Sequence, residues 1–465
     1  MVSSLERHDI QGLLMSGYAR MHLATYLLLA VREPASARTW LTDLAARVTT
    51  GERPQEERCL NVALTSEGLR ALGVPDADLQ TFPAPLREGM AATHRTFILG
   101  DTGASAPEHW RWGGPATEPV HVLLLVFAKD EAAFSEHRTA ECRRLEDGGL
   151  EVLHELTPEP LPGRLRVGKF GVEHFGFADG MSQPVIEGSG QEDKLGGDDH
   201  RRTVIEAGEF VLGYPNGYGR LTPWPRVGPP KQGGSDFGRN GSYLVFRQLG
   251  QDVAGFWRFV DTATRRRHGD GDPAERTRLA AKLVGRWPSG APLVKSHHRD
   301  DPDLGTDNSF GYAAWDGQGL RCPLASHIRR TNPRDALGDD PERALELANL
   351  HRILRRGRVY GPELDDPLAG DDGEERGLFF LCLNANVERQ FEFVQHTWCN
   401  NPKFAGRYDE QDPLLGNPPP EGGQFTVQDT PVRQRLVGIP SFVTTRGGAY
   451  FFLPGIAALR RLATV

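Results

Sequence analysis

At 465 residues the chain exceeds the roughly 250–300 over which one hydrophobic core keeps growing, so two domains are expected. Apolar residues at 38% and charged residues at 25% exclude wholesale disorder, while 54 Gly and 34 Pro predict many turns and long connections. A formal net charge of -8 removes the electrostatic footprint of a nucleic-acid binder.

Tyr26-Leu-Leu-Leu-Ala-Val31 reads as a buried strand, and Pro34 then stands where a first-turn proline belongs. Trp40, Leu41, Leu44 and Val48 carry helical spacing through 35–48. Cys59 to Leu64 predicts a second strand, with a helix from Ser66. Val120 to Phe127 predicts a third strand, Asp130 to Leu145 a charged amphipathic helix and Leu150 to Leu156 a fourth strand. With a short helix after each of the first two strands, the order β-α-β-β-α-β is ferredoxin-like, an antiparallel sheet with helices on one face.

The pattern returns downstream. Ser242 to Arg247 leads into a helix with Val253, Phe256, Trp257 and Val260 on one face, and Gly377 to Leu383 into one carrying Phe391, Val394 and Trp398. Ser441 to Thr445 and Ala449 to Leu453 predict two further short strands joined by Arg446-Gly-Gly448. The expected fold is α+β, with two ferredoxin-like domains, residues 1–165 and 166–465, the second bearing long loop insertions. The inserts 186–241, 265–312 and 361–375 are long enough to suggest functional or mobile loops.

The five cysteines form no CxxC pair and are odd in number, which favours a reducing compartment. The Tyr26–Val31 run is too short for a signal-peptide core, and no stretch approaches the roughly 18 apolar residues of a membrane span. A soluble cytoplasmic protein without membrane contact is expected, with oligomerisation or packaging with a partner left open. No GxGxxG fingerprint supports a nucleotide-dependent enzyme.

The chemistry concentrates in three segments beside the long connections. Cys322-Pro-Leu-Ala-Ser-His327-Ile-Arg-Arg-Thr-Asn-Pro-Arg334 sets one histidine among Arg329, Arg330 and Arg334, and Arg352, Arg355, Arg356 and Arg358 follow. A neutral imidazole is a good iron ligand and guanidinium groups are natural partners of carboxylates such as heme propionates; a solvated basic face is the alternative. Gly176-Phe-Ala-Asp179-Gly-Met-Ser-Gln-Pro184 places an acid between small residues, where a flat cofactor can approach; a plain Asp-Gly turn is the alternative. His297-His298, beside Asp300, Asp301 and Asp303, reads as a solvated acidic loop rather than a metal site.

In combination, and together with Asp9-Ile-Gln-Gly12 and Gln390-Phe-Glu-Phe-Val-Gln-His-Thr-Trp398, these motifs resemble the dye-decolorizing peroxidase family over nearly the whole chain. The resemblance implies heme b (iron protoporphyrin IX), with His327 as proximal iron ligand. It also implies Asp179 as distal acid-base group, Arg355 as distal charge stabiliser and Arg334 paired with a propionate. Gly180 and Ser182 would border the cofactor, while Leu378 and Phe380, alternating along a strand, would wall the distal pocket or serve as ordinary core. Glu388 and Glu392 are the candidates for the acceptor on the second ring nitrogen of His327. Trp398 would carry electrons from a bulky surface donor or belong to the core.

Two departures stand out. Arg358-Val359 replaces the family's usual Ile-Pro, which predicts a more cationic access channel, and Met181 replaces a usual Ile, which predicts methionine oxidation during turnover. The implied reaction reduces hydrogen peroxide while oxidising dyes, phenols or similar one-electron donors. A heme carrier, or a heme-processing protein of the deferrochelatase kind, is the alternative.

Overall fold

The computed structural model describes residues 4–52, 57–159, 166–167, 170–228, 236–268 and 271–465. The first repeat runs β1 (Leu23–Val31), α1 (Pro34–Arg47), β2 (Arg58–Leu64), β3 (Val122–Ala128), α2 (Glu131–Asp147) and β4 (Leu150–Leu156). Pro34 opens α1, and the Asp130 carboxylate caps α2 by accepting from the Ala133 amide. The strands pair antiparallel in the order β2-β3-β1-β4, the ferredoxin-like arrangement.

The second repeat uses β5 (Ser242–Gln251), α3 (Val253–His268), β6 (Leu354–Arg355), β7 (Arg358–Tyr360), β8 (Gly377–Asn384), the helical segment 388–399 and β9 (Val443–Leu453). Its order is β6-β8-β5-β9, with β7 also on β8, so the same topology is built twice. The pair Phe452–Leu64 joins the halves into a nine-stranded sheet among the described residues. The boundary expected at 165/166 falls at residues 160–165, outside the described residues.

The two short strands expected at 441–445 and 449–453 are one continuous strand, β9. Arg446-Gly-Gly448 is not a turn: the β5–β9 register slips at Gln248/Leu249, opposite these glycines, as a bulge does. A side chain at Gly447 would sit 2.6 Å from the Trp112 indole nitrogen, and one at Gly448 2.6 Å from the Met90 sulfur. The glycines answer to close packing rather than to chain reversal.

Residues of one parity face the partner repeat. Tyr26 of β1 packs edge-on against Phe246 of β5 and Phe379 of β8, with centroids 5.7 and 5.8 Å apart, inside a buried core shared by both repeats. The opposite parity of β8 carries the half-buried Leu378 and Phe380. No helix among the described residues is long and apolar enough to cross a membrane.

Asp9-Ile-Gln-Gly12 ties the first repeat to the end of the second. The Gln11 side-chain amide donates to the Val62 and Pro454 carbonyls, and Asp9 accepts from the Ala457 amide.

Candidate active site

Asp179 ends a two-residue strand, Ala178–Asp179, paired to the strand Phe170–Val172. Gly180 follows at φ 90° and Ser182 at φ 57°, so the chain bends through left-handed backbone that glycine enters without strain and serine does not. The Gly180 amide donates to Asp179 Oδ1 at 2.6 Å. Ser182 is held at both ends: its carbonyl accepts from Arg352 at 2.7 Å, and its hydroxyl accepts from Asn332 at 3.3 Å.

Arg355 arrives from β6. Its register opposite Cys382 puts its side chain on the same face of the sheet as Leu378 and Phe380. Its guanidinium donates to Asp179 Oδ1 and to the Met181 carbonyl, both at 2.8 Å, and its backbone amide donates to Gln183 Oε1. The Asp179 side chain is 41% accessible. Burial pushes its carboxyl up, but the Arg355 charge and the Gly180 amide outweigh that and hold it below the ordinary value.

His327 opens the short helix His327–Thr331, anchored where the Ser326 hydroxyl donates to the Lys282 carbonyl. Its Nδ1 lies 2.8 Å from Oδ2 of Asp412, whose side chain is fully buried. A carboxylate can only accept, so Nδ1 carries the proton and Nε2 keeps a lone pair. Burial pulls the imidazole down, but the Asp412 charge and hydrogen bond prevail and raise it above its ordinary value; Arg355 and Asp179 act on it as well. Asp179 in turn feels the His327 charge, so the two pairs, Asp179–Arg355 and His327–Asp412, influence one another electrostatically.

Glu388 and Glu392 are not the acceptor. Glu392 is gripped through both oxygens by Arg95, at 2.8 and 2.7 Å, and Glu388 is a half-exposed partner of the same arginine. Asp412 escaped notice because it stands in an irregular Gly-, Pro- and Asp-rich loop where no periodicity marks a side chain. Its other oxygen, Oδ1, accepts from the Leu414 and Leu415 amides at 2.9 Å, so the carboxylate is fixed before the imidazole meets it.

Arg329 and Arg330 are not a solvated basic face; both are buried. Arg329 pairs with Asp316 at 3.1 Å over the Tyr312 ring. Arg330 donates to the carbonyls of Trp398 at 2.5 Å, Cys399 at 3.4 Å, Asn401 at 3.1 Å and also Glu410. It thereby clamps the segment that delivers Asp412 under His327.

Arg334 lies at φ 53°, strained for a non-glycine residue, and is buried over the Phe310 ring at 3.8 Å. Its guanidinium donates to the Asn308 and Phe310 carbonyls, while Nε is buried without a partner. Arg286 and Arg352 are buried nearby. Among the described residues none of the three has a carboxylate at ion-pair distance. Burial, then repulsion from neighbouring arginines, pushes Arg352 down to about 9 and Arg286 to about 10, and burial lowers Arg334 likewise. Such a surplus of buried cationic charge suits a dianion. A porphyrin with two propionates and an iron seeking a neutral nitrogen fits this donor set.

Other expected features lie elsewhere. Arg358 does not line a channel: it donates to the Tyr18 and His22 carbonyls and covers the Phe127 ring. Trp398 is 4% exposed, packed among His351, Phe393 and Phe404, and is therefore no surface residue. Met181 is buried, its sulfur close against Gly290. The His297 and His298 rings lie 3.7 Å apart, tilted by 46°, and no described group of three or more side chains there suits a metal.

No protein-family model matches the chain. It is similar to a dye-decolorizing peroxidase of Auricularia auricula-judae, with 31% identity over 98% of this chain and 87% of that one. The crystal structure of a fungal DyP-type peroxidase from Auricularia auricula-judae matches at TM-score 0.79 and 28% identity, over 99% of this chain and 100% of that one. A dye-decolorizing peroxidase in complex with 2,6-dimethoxyphenol matches at TM-score 0.79 and 26% identity, again over 99% and 100%.

Proposed function

The chain belongs to the dye-decolorizing peroxidase family and is an enzyme of that class, and on that premise we propose that Asp179 and Arg355 act on hydrogen peroxide and that His327 would hold the iron of a heme b. Bound there, the heme would supply the redox chemistry, giving two electrons to peroxide and recovering them singly from two molecules of a reductant. Both hydrogen bonds to Asp179 fall on Oδ1, which leaves Oδ2 to take a proton from peroxide and return it to the departing oxygen. Arg355 keeps that carboxylate ionised and offsets the negative charge that grows as the O–O bond breaks.

His327 offers Nε2, while Asp412 holds the proton on Nδ1 and makes the imidazole a stronger donor. Arg334 meets a propionate. Gly180 and Ser182 would border the cofactor, and Leu378 and Phe380 would keep water from it. All these residues lie in 166–465, which we take as the cofactor-binding domain, with 1–165 as a second ferredoxin-like domain. Dyes and phenols are the reductants we assign, since a relative binds 2,6-dimethoxyphenol. The five cysteines without a disulfide support a cytoplasmic location.

The observation that carries this reading is the presence of two prepared pairs, Asp179 with Arg355 and His327 with Asp412, each at 2.8 Å. Its test is the absorption spectrum of hemin-loaded protein before and after one equivalent of peroxide. A Soret band that depends on His327 and shifts with peroxide supports turnover. Simple bleaching supports a carrier or heme-processing protein, and absence of specific hemin uptake overturns the site.

A further inference from the structure

The chain has nine tyrosines, and among the described residues Tyr450 is the one that donates its phenol proton to a carboxylate. Tyr18 and Tyr214 donate to the side-chain oxygens of Asn61 and Asn240, amides that cannot take a proton away. Tyr450 lies on β9, 2% exposed, with its hydroxyl 2.7 Å from Glu392 Oε1. Its ring neighbours Phe391 at 6.4 Å between centroids, and Phe391 neighbours Phe380 at 6.0 Å. Packed rings therefore run from Phe380, which the proposed function assigns to the cofactor pocket, to a phenol that has a base at its proton.

From this arrangement, and resting on the peroxidase reading above, we propose that Tyr450 with Glu392 is a buried store for an oxidising equivalent. When peroxide has oxidised the heme by two electrons and no reductant is present, one electron passes from Tyr450 along Phe391 and Phe380 to the heme. The O–H bond breaks in the same event, its proton moving to Glu392 Oε1 and leaving a neutral phenoxyl. An electron from a later reductant reverses the step, and Glu392 returns the proton.

Charge bookkeeping favours that acceptor. Arg95 is buried between Glu392 and Glu88, with Glu88 at 2.7 Å and the half-exposed Glu388 at 3.5 Å, so the four groups carry two negative charges in excess. Protonating Glu392 lowers the excess and leaves Arg95 paired with Glu88, so no buried cation is stranded. At 2% exposure Tyr450 cannot touch a dye, which makes it a store and not a site of substrate oxidation.

The experiment is electron paramagnetic resonance of hemin-loaded protein frozen after one equivalent of peroxide without reductant, with the optical spectrum recorded on each sample. A phenoxyl signal is expected in the natural protein and is expected to vanish in Tyr450→Phe, and in Glu392→Gln, where the acceptor has lost its basicity. A signal unchanged in Tyr450→Phe overturns the proposal. Should either variant fail to fold, electron-nuclear double resonance of the natural protein in deuterated water replaces it. An exchangeable deuteron coupled to the phenoxyl oxygen is expected, and its absence overturns the assignment. An optical spectrum unmoved by peroxide instead sinks the peroxidase reading, and this inference with it.

Discussion

Nδ1 of His327 lies 2.8 Å from Oδ2 of Asp412, a carboxylate 85 residues further along the chain that is itself pinned by two backbone amides. The proton's place on the imidazole is thus set by a group prepared independently of it. Asp412→Asn keeps the shape but replaces a charged acceptor by a neutral one. Losses of about 10–100-fold are usual when such a supporting partner of a metal ligand is removed. Hemin titration should show a weakening of that order, and wild-type affinity in the variant would remove Asp412 from the site.

Asp179→Asn removes the only group proposed to carry the peroxide proton. The reaction with peroxide should slow by about 10²–10⁴-fold, the usual worth of a positioned acid-base group. Hemin affinity should stay unchanged, because Asp179 bonds to Arg355 and Gly180 and not to the proximal side. Stopped-flow mixing with peroxide separates the two effects.

The acid limb of the pH profile follows from the Asp179–Arg355 pair. Burial raises the Asp179 carboxyl, Arg355 more than reverses this, and the group stays ionised below the ordinary carboxylate range. The base is competent only when ionised, so the peroxide reaction should persist into that acid range and fall only below it. In Arg355→Leu the raising effect of burial is left unopposed, and the limb should move to higher pH. A limb that stays put would assign it to another group.

Glu173 ties down the distal loop by accepting from the Phe175 and Phe177 amides and from Gln251. Burial pushes it up to about 7 despite those donors. A folded value above the unfolded one means its contribution to stability is fully present below about 4.5 and is lost as pH rises through about 7. Melting temperature should therefore decline between those values in the natural protein, and Glu173→Gln should flatten the decline. Parallel curves for the two proteins would refute this.

Arg330→Ala strips hydrogen bonds from four carbonyls around the Asp412 loop. At about 1–3 kcal/mol for each buried group left unsatisfied, and with partial relaxation, the loss should reach about 4 kcal/mol, the upper end for single substitutions. Chemical denaturation of the hemin-free protein measures it. A loss under about 1 kcal/mol would mean that the loop finds other partners.

The sequence by itself determined the repeated units. The apolar run of β1, the helical spacing of Trp40, Leu41 and Leu44, and the alternation of β8 follow from periodicities of 3.6 and 2 that local backbone geometry imposes. The segments around Asp179, His327 and Arg355 stood out through their combined resemblance to one family, whereas each by itself reads equally as a turn or a solvated basic face. The tertiary structure alone decided what those side chains meet. It chose Asp412 over Glu388 and Glu392, buried Arg329 and Arg330, turned Arg358 toward the Tyr18 carbonyl, and ran β9 straight through two glycines. Such choices depend on which distant carbonyls, rings and carboxylates come within hydrogen-bond reach, and that is fixed by how the two repeats and their insertions pack, not by local spacing.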